Sequence, residues 1–167
     1  DLSAGGMLAG MPGCEVADSS WHGTAIAGLM VADRDDALGV AGVMQQGSVV
    51  PLRASWKCGG YLSDMVDAVL WGAGIALPGA PVNTHPARVI NISLGYAGAC
   101  SPFEASAYQL VYEAGVTVIA AAGNDGGDSA QVAPANCPHV IAVAASDGDG
   151  NLATYSSRGA NVTLMAP

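Results

Sequence analysis

The stretch Val116-Thr117-Val118-Ile119-Ala120-Ala121-Ala122-Gly123-Asn124 decides how this chain is read. Residues 116–122 carry no charge and a single hydroxyl, and Gly123 and Asn124 end the run. A run this short, opened by β-branched residues and closed by glycine, is the length of a strand. It lacks the polar–apolar alternation of a strand with one wet face. Both of its faces are therefore expected to be covered, as in a parallel sheet.

The flanking sequence agrees. Residues 102–114 have helical spacing, with Phe103, Ala107, Leu110 and Val111 read as the inward face and Gly115 as the stop. Residues 89–94 and 140–145 read as further strands, the first ending at Gly95. Residues 49–54 read as a strand made irregular by Pro51. Helices are predicted over residues 22–32, behind the cap candidates Asp18-Ser19-Ser20, and over 61–75, where Leu62, Met65, Val66, Val69 and Leu70 recur. In the first of these, Ala27 and Gly28 would let another backbone come close. Residues 1–20 read as loop. Alternating strands and helices give an α/β fold with a mainly parallel central sheet and helices on both faces. Ligands of such sheets bind beyond the carboxyl ends of the strands. That selects three glycine-rich loops: 55–61, 94–101 and 123–136.

Length and charge narrow the class. The 167 residues suit one domain. Five basic and fourteen acidic residues give a net charge of −9, which argues against nucleic acid and anionic membrane surfaces as partners. No apolar run is long enough to span a bilayer. The chain begins at Asp1 rather than a methionine, which reads as processed or incomplete. Cys14, Cys58, Cys100 and Cys137 form no C-x-x-C pair, so scattered disulfides in an oxidising compartment are expected rather than a metal cluster. Asn91-Ile92-Ser93 and Asn161-Val162-Thr163 fit the glycosylation pattern, the first in an apolar run expected to be buried, and neither is given functional weight.

Six blocks then occur in order: His22-Gly23-Thr24 with Ala27-Gly28, Leu38-Gly39-Val40 with Gly42-Val43, Asn91-Ile92-Ser93-Leu94-Gly95, Ala120-Ala121-Ala122-Gly123-Asn124, Tyr155-Ser156, and Ala166-Pro167. In this order they resemble the subtilisin-like serine proteases, or subtilases. They are most similar to secreted bacterial members with cysteines in the substrate loops, as at Cys58 and Cys100. The resemblance covers residues 21–167. It implies a partial peptidase domain over 1–167, with 1–20 a loop-rich part and the three-layer fold incomplete at both ends.

The resemblance assigns roles residue by residue. His22 becomes the general base of a Ser-His-Asp mechanism and Asn124 the side-chain donor to the oxyanion. Ser93, Leu94 and Gly95 become one wall of the primary substrate pocket, and Ala121, Ala122 and Gly123 the other. Gly59, Gly60 and Tyr61 become the second strand flanking a peptide substrate, which would bind as an added strand. Small walls suit large apolar side chains, and no acid is obviously placed to favour lysine or arginine. Neither the aspartate motif nor the Gly-Thr-Ser-Met-Ala motif of the family's nucleophile is present. The chain alone is therefore expected to hydrolyse no peptide bond and to need the N- and C-terminal parts of the catalytic domain. The alternative is a non-catalytic, peptide-binding pseudoprotease.

Two further expectations follow from the resemblance. No cofactor is needed for catalysis, but residues 33–40 match the place of a structural calcium loop, with Asp35 or Asp36 as ligand. The implied fold sets Cys58 and Cys100 in neighbouring loops beside the cleft, and a disulfide between them is expected. Cys14 and Cys137 are then left to pair with each other or with residues beyond this chain. The protein is expected to be secreted.

Overall fold

The computed structural model describes residues 20–55 and 59–167. The chain divides into two compact units, Asp1–Ala68 and Val69–Pro167.

The second unit is built on a four-stranded, wholly parallel sheet. Its strands are β1 (Val89–Ile92), β3 (Thr117–Ala121), β5 (Val140–Ala145) and β6 (Val162–Ala166), in the spatial order β1-β3-β5-β6. Two two-residue strands, β2 (Tyr96–Ala97) and β4 (Val132–Ala133), pair antiparallel beside it, Tyr96 opposite Ala133 and Ala97 opposite Val132. The central strand follows the reading of residues 116–122. Val118 and Ala120 are both 1% exposed, and Ala142 and Ala144 repeat the pattern on β5. Burying a valine side chain fully contributes about 1.5–3 kcal/mol, and the alanines let covering elements approach the sheet closely.

Helix α3 (Pro102–Glu113) packs on β3. Its start is over-determined: Pro102 opens it, the Ser101 hydroxyl accepts from Glu104 N at 3.2 Å, and Glu104 Oε2 accepts from Ser101 N at 3.0 Å. This reciprocal capping box satisfies two otherwise orphaned donors. Gly115, at φ +78°, closes the helix. The buried face differs from the one expected. Ala107 and Val111 are inside, but Phe103 and Leu110 are exposed, and Glu104 and Tyr108 are buried instead. Residues 104, 107, 108 and 111 share one face at helical spacing. The capping box draws Glu104 inward and fixes which face that is.

In the first unit, α1 (His22–Val31) contains no buried residue. Backbone bonds from Gly42, Val43 and Met44 to Ala32, Leu29 and Met30, each 2.9 Å, lay residues 42–44 along its last turn. The close approach expected at Gly28 is made at Gly42. A Cβ there would stand 2.5 Å from Ala32 N, whereas nothing lies within 4 Å of one at Gly28. Residues 49–54 form no strand among the described residues, and Val50 and Leu52 are exposed. Pro51 has no N–H to give a ladder. Helix α2 (Leu62–Gly72) carries the chain from one unit into the other, with Val66 and Val69 buried.

Candidate active site

Parallel pairing brings two of the selected loops together. In the β1–β3 register Ile92 lies opposite Ala120, so both strands deliver their carboxyl ends to the same side of the sheet. Ser93-Leu94-Gly95 leaves β1 there, and Ala122-Gly123-Asn124 leaves β3 beside it. Leu94 and Gly95 are exposed, Ala121 and Gly123 half-buried, and Ala122 is buried with its N–H bonded to Val143 O at 2.9 Å. Asn124 is exposed immediately beyond the second wall.

Glycine allows a close approach at both loops, tightest at Gly123. A Cβ on Gly95 would lie 3.2 Å from Ala133 O and 3.3 Å from Val132 Cγ1. A Cβ on Gly123 would lie 3.1 Å from Val132 Cγ2 and 2.6 Å from Ser157 Oγ, and Gly123 has φ +113°. The two methyls of Val132 thus pack between the walls, and this residue was not foreseen. It sits on β4, inside what read as a polar loop over 123–136, and an isolated valine in such a loop is the one signal that marks it. That loop also contains a 3₁₀ turn, Ser129–Gln131, and a cis Ala133–Pro134 bond.

The segment after Gly123 is fastened along its length. Ser157 N donates to Gly123 O at 2.9 Å, Gly126 N to Tyr155 O at 2.8 Å, and Arg158 N to Gly127 O at 3.0 Å. Ser157 Oγ donates to Asp125 Oδ1 at 2.6 Å, and Gly127 N donates to the same oxygen at 3.0 Å. These bonds hold the Asp125 carboxyl below its ordinary 3.8, the Ser157 hydroxyl contributing most. Asn161, one of the two glycosylation matches, uses its side-chain amide internally, donating to Ser129 O, Ser129 Oγ and Ala135 O at 3.1–3.3 Å. The other, Asn91, is exposed rather than buried and donates to Ser93 Oγ at 2.8 Å.

The disulfide beside the walls is not the expected one. Cys100 is bonded to Cys137 (Cα–Cα 5.0 Å), so a Cys58–Cys100 bridge is not formed. The reason is local. β2 and β4 pair directly, and Asn136 Nδ2 donates to Gly98 O at 2.9 Å, which sets residues 98–100 against the turn at 136–137. Cys14 and Cys58 lie outside the described residues. Glu104 lies close enough to both sulfurs to suggest a metal trio, but the disulfide leaves those sulfurs unable to act as thiolate ligands.

The other site residues belong to the first unit. His22 is the exposed first residue of α1, following Trp21 at φ +55°. Its N–H reaches the Ser20 hydroxyl at 3.5 Å. Gly60 packs on the Ala54 carbonyl and the Ser55 Cα, and a Cβ there would collide with that carbonyl. Gly59 takes φ +101°, and Tyr61 is exposed ahead of α2. In the loop after α1, Asp35 has φ +63° and Asp36 Oδ1 accepts from Leu38 N at 2.9 Å. Both carboxylates are exposed, and among the described residues no third acidic group joins them. On their own they supply only part of the six to eight oxygens that calcium takes.

Known proteins are similar to this chain over most of its length. The chain is 45% identical over 155 residues to an extracellular protease of Xanthomonas campestris pv. campestris, covering 93% of this chain and 27% of that protein. It is 40% identical over 149 residues to an extracellular basic protease of Dichelobacter nodosus, covering 89% of this chain and 25% of that one. Among solved structures, a protease of Pseudoalteromonas arctica superposes with a TM-score of 0.87 at 44% identity, over 89% of this chain and 44% of its own. The chain thus spans about a quarter of the length of these curated relatives. The subtilase family profile matches residues 6–167, taking in both walls, Asn124 and the helix that opens on His22. Sequence blocks, parallel sheet and family match agree, and the chain belongs to the subtilase family.

Proposed function

We propose that this chain supplies the general base, the oxyanion amide and the substrate-binding walls of a secreted serine endopeptidase. The observation that carries the reading is the convergence of Ser93-Leu94-Gly95 with Ala121-Ala122-Gly123-Asn124 at the carboxyl ends of two adjacent parallel strands. A peptide laid between such walls meets small residues and glycine on both sides. That suits an apolar side chain at the position preceding the cut, an extended peptide being held by main-chain bonds.

In this reading His22 takes the proton from a serine hydroxyl as that oxygen attacks the scissile carbonyl. It then returns the proton to the leaving amine. The carbonyl oxygen gains charge as the tetrahedral intermediate forms, and the Asn124 amide donates to it there. A donor whose position is already set costs no reorganisation at that moment. The serine, and the aspartate that orients His22, come from residues outside this chain, so the 167 residues alone hydrolyse no peptide. Secretion accords with the extracellular relatives, and no helix among the described residues is long and apolar enough to cross a membrane. The same reading brings a structural calcium ion to residues 33–40, with Asp35 and Asp36 supplying carboxylate oxygens. Added calcium should then raise the melting temperature, and an unchanged value would remove the ion.

The test is a fluorophosphonate probe on the complete protein. Wild type should hydrolyse peptides and label at one serine, and His22→Ala should lose both turnover and rapid labelling. A complete wild-type protein that binds peptide without cutting or labelling would instead be a pseudoprotease.

A further inference from the structure

We infer that Ser157 and Asp125 form a positioning pair that sets the turn carrying Asn124, an inference that rests on the protease reading above. β3 ends at Ala121, so the sheet ladder does not hold Asn124. The backbone on either side of it is held instead by one segment, residues 155–158. On the near side, Gly123 O accepts from Ser157 N at 2.9 Å. On the far side, the Ser157 hydroxyl donates to Asp125 Oδ1 at 2.6 Å, across 32 residues of sequence. One residue therefore grips the chain both before and after Asn124, once through its backbone and once through its side chain.

Ser157 has little freedom to do otherwise. It is 0% exposed, and its Oγ stands 2.6 Å from where a Gly123 Cβ would be. Asp125 is committed as well, because the same Oδ1 accepts from Gly127 N at 3.0 Å and closes a tight turn. Oxyanion donors must be held to within about 0.5 Å to serve the transition state. An exposed asparagine between a glycine at φ +113° and a turn has no such rigidity of its own. The Ser157–Asp125 bond provides it. Neither residue needs to touch substrate: both act through the position of Asn124.

The pair is tested in the complete enzyme with Ser157→Ala, Asp125→Ala, Asp125→Asn and the Ser157→Ala/Asp125→Ala double variant. Ser157→Ala and Asp125→Ala should each lower kcat about 10- to 100-fold while KM stays within about twofold, as a misplaced catalytic group does. Asp125→Asn keeps the acceptor oxygen and should restore most of kcat. The double variant should be no worse than the poorer single one, since both break the same bond. Asp125 is exposed, so its variants are read even if the buried serine change disturbs folding. Unchanged kcat in Asp125→Ala would overturn the inference. So would losses that fall in KM and vary with the charge of the substrate side chain, which would make Asp125 a substrate contact. A wild-type enzyme without turnover would overturn the protease reading and the inference together, whereas active wild type with unaffected variants removes the inference alone.

Discussion

The Tyr96 hydroxyl donates to Glu104 Oε2 at 2.6 Å, tying the short strand that follows Ser93-Leu94-Gly95 to the first turn of α3. The same carboxylate oxygen accepts from Ser101 N at 3.0 Å and from the Ser101 hydroxyl at 2.9 Å. Glu104 is fully buried, and its other oxygen, Oε1, has no hydrogen-bond partner among the described residues. One oxygen thus gathers three donors from the helix cap and the β2 strand. A bond to a charged acceptor contributes about 1.5–3 kcal/mol when buried and less when one partner is wet. Tyr96 is 39% exposed, so Tyr96→Phe should destabilise by about 1–2 kcal/mol. Glu104→Ala strands all three donors and should cost at least about 3 kcal/mol. Urea unfolding of the complete protein measures both.

Burial of Tyr96, together with this bond, makes stability depend on alkaline pH. Burial first, then the hydrogen bond to Glu104 and its charge, push the Tyr96 hydroxyl from 10.0 up to about 12. Tyr108 is raised too, chiefly by burial. The unfolded chain releases these protons near pH 10, while the folded chain retains that of Tyr96 until about 12. Their contribution is therefore complete below pH 10 and is lost as pH rises through that window. Unfolding free energy should decline across it, and Tyr96→Phe should make the decline shallower. An equal slope in the two proteins would contradict the assignment.

The Cys100–Cys137 bridge closes a loop of 37 residues in sequence separation. In the chain-entropy account a loop of this size contributes about 4 kcal/mol, and measured values run about 2–4. Replacing both cysteines with alanine should lower stability by about that amount. Peptide mapping without reduction should recover residues 100 and 137 in one linked pair, and a Cys58–Cys100 peptide would contradict the structure.

Gly123→Ala combines two costs. The added Cβ meets Ser157 Oγ and Val132 Cγ2, and φ +113° is a region that alanine rarely adopts. A destabilisation of about 1–3 kcal/mol is expected for the backbone alone. Because Gly123 precedes Asn124, kcat should fall as well. Thermal unfolding and steady-state kinetics on one preparation separate the two effects.

What the sequence disclosed follows from how local each signal is. Uncharged runs gave β3 and β5 and their parallel pairing, because a strand buried on both faces must be apolar throughout. Helical spacing over residues 102–114 gave α3, whereas its capping box emerged only in the fold. Its buried face was misjudged because Phe103 and Leu110 are the more hydrophobic residues, while the capping box turns Glu104 and Tyr108 inward. The glycine-ended loops after β1 and β3, which hold Ser93-Leu94-Gly95 and Gly123-Asn124, were legible as breaks after apolar strands, and the roles of those residues rest on the resemblance alone. Val132, Ser157 and the partner of Cys100 were not legible. Each depends on contacts between segments far apart in sequence, such as β2 with β4 and Asp125 with Ser157. Residues 49–54 had the composition of a strand, but they form none among the described residues.

Whether this chain carries the oxyanion donor of a protease is read from kcat of Asn124→Ala in the complete protein. The equivalent amide of subtilisin is worth about 100- to 1,000-fold in kcat. A loss of that size with KM nearly unchanged is expected, because the amide serves the transition state rather than the bound substrate. Turnover equal to wild type, or a loss confined to KM, would contradict it.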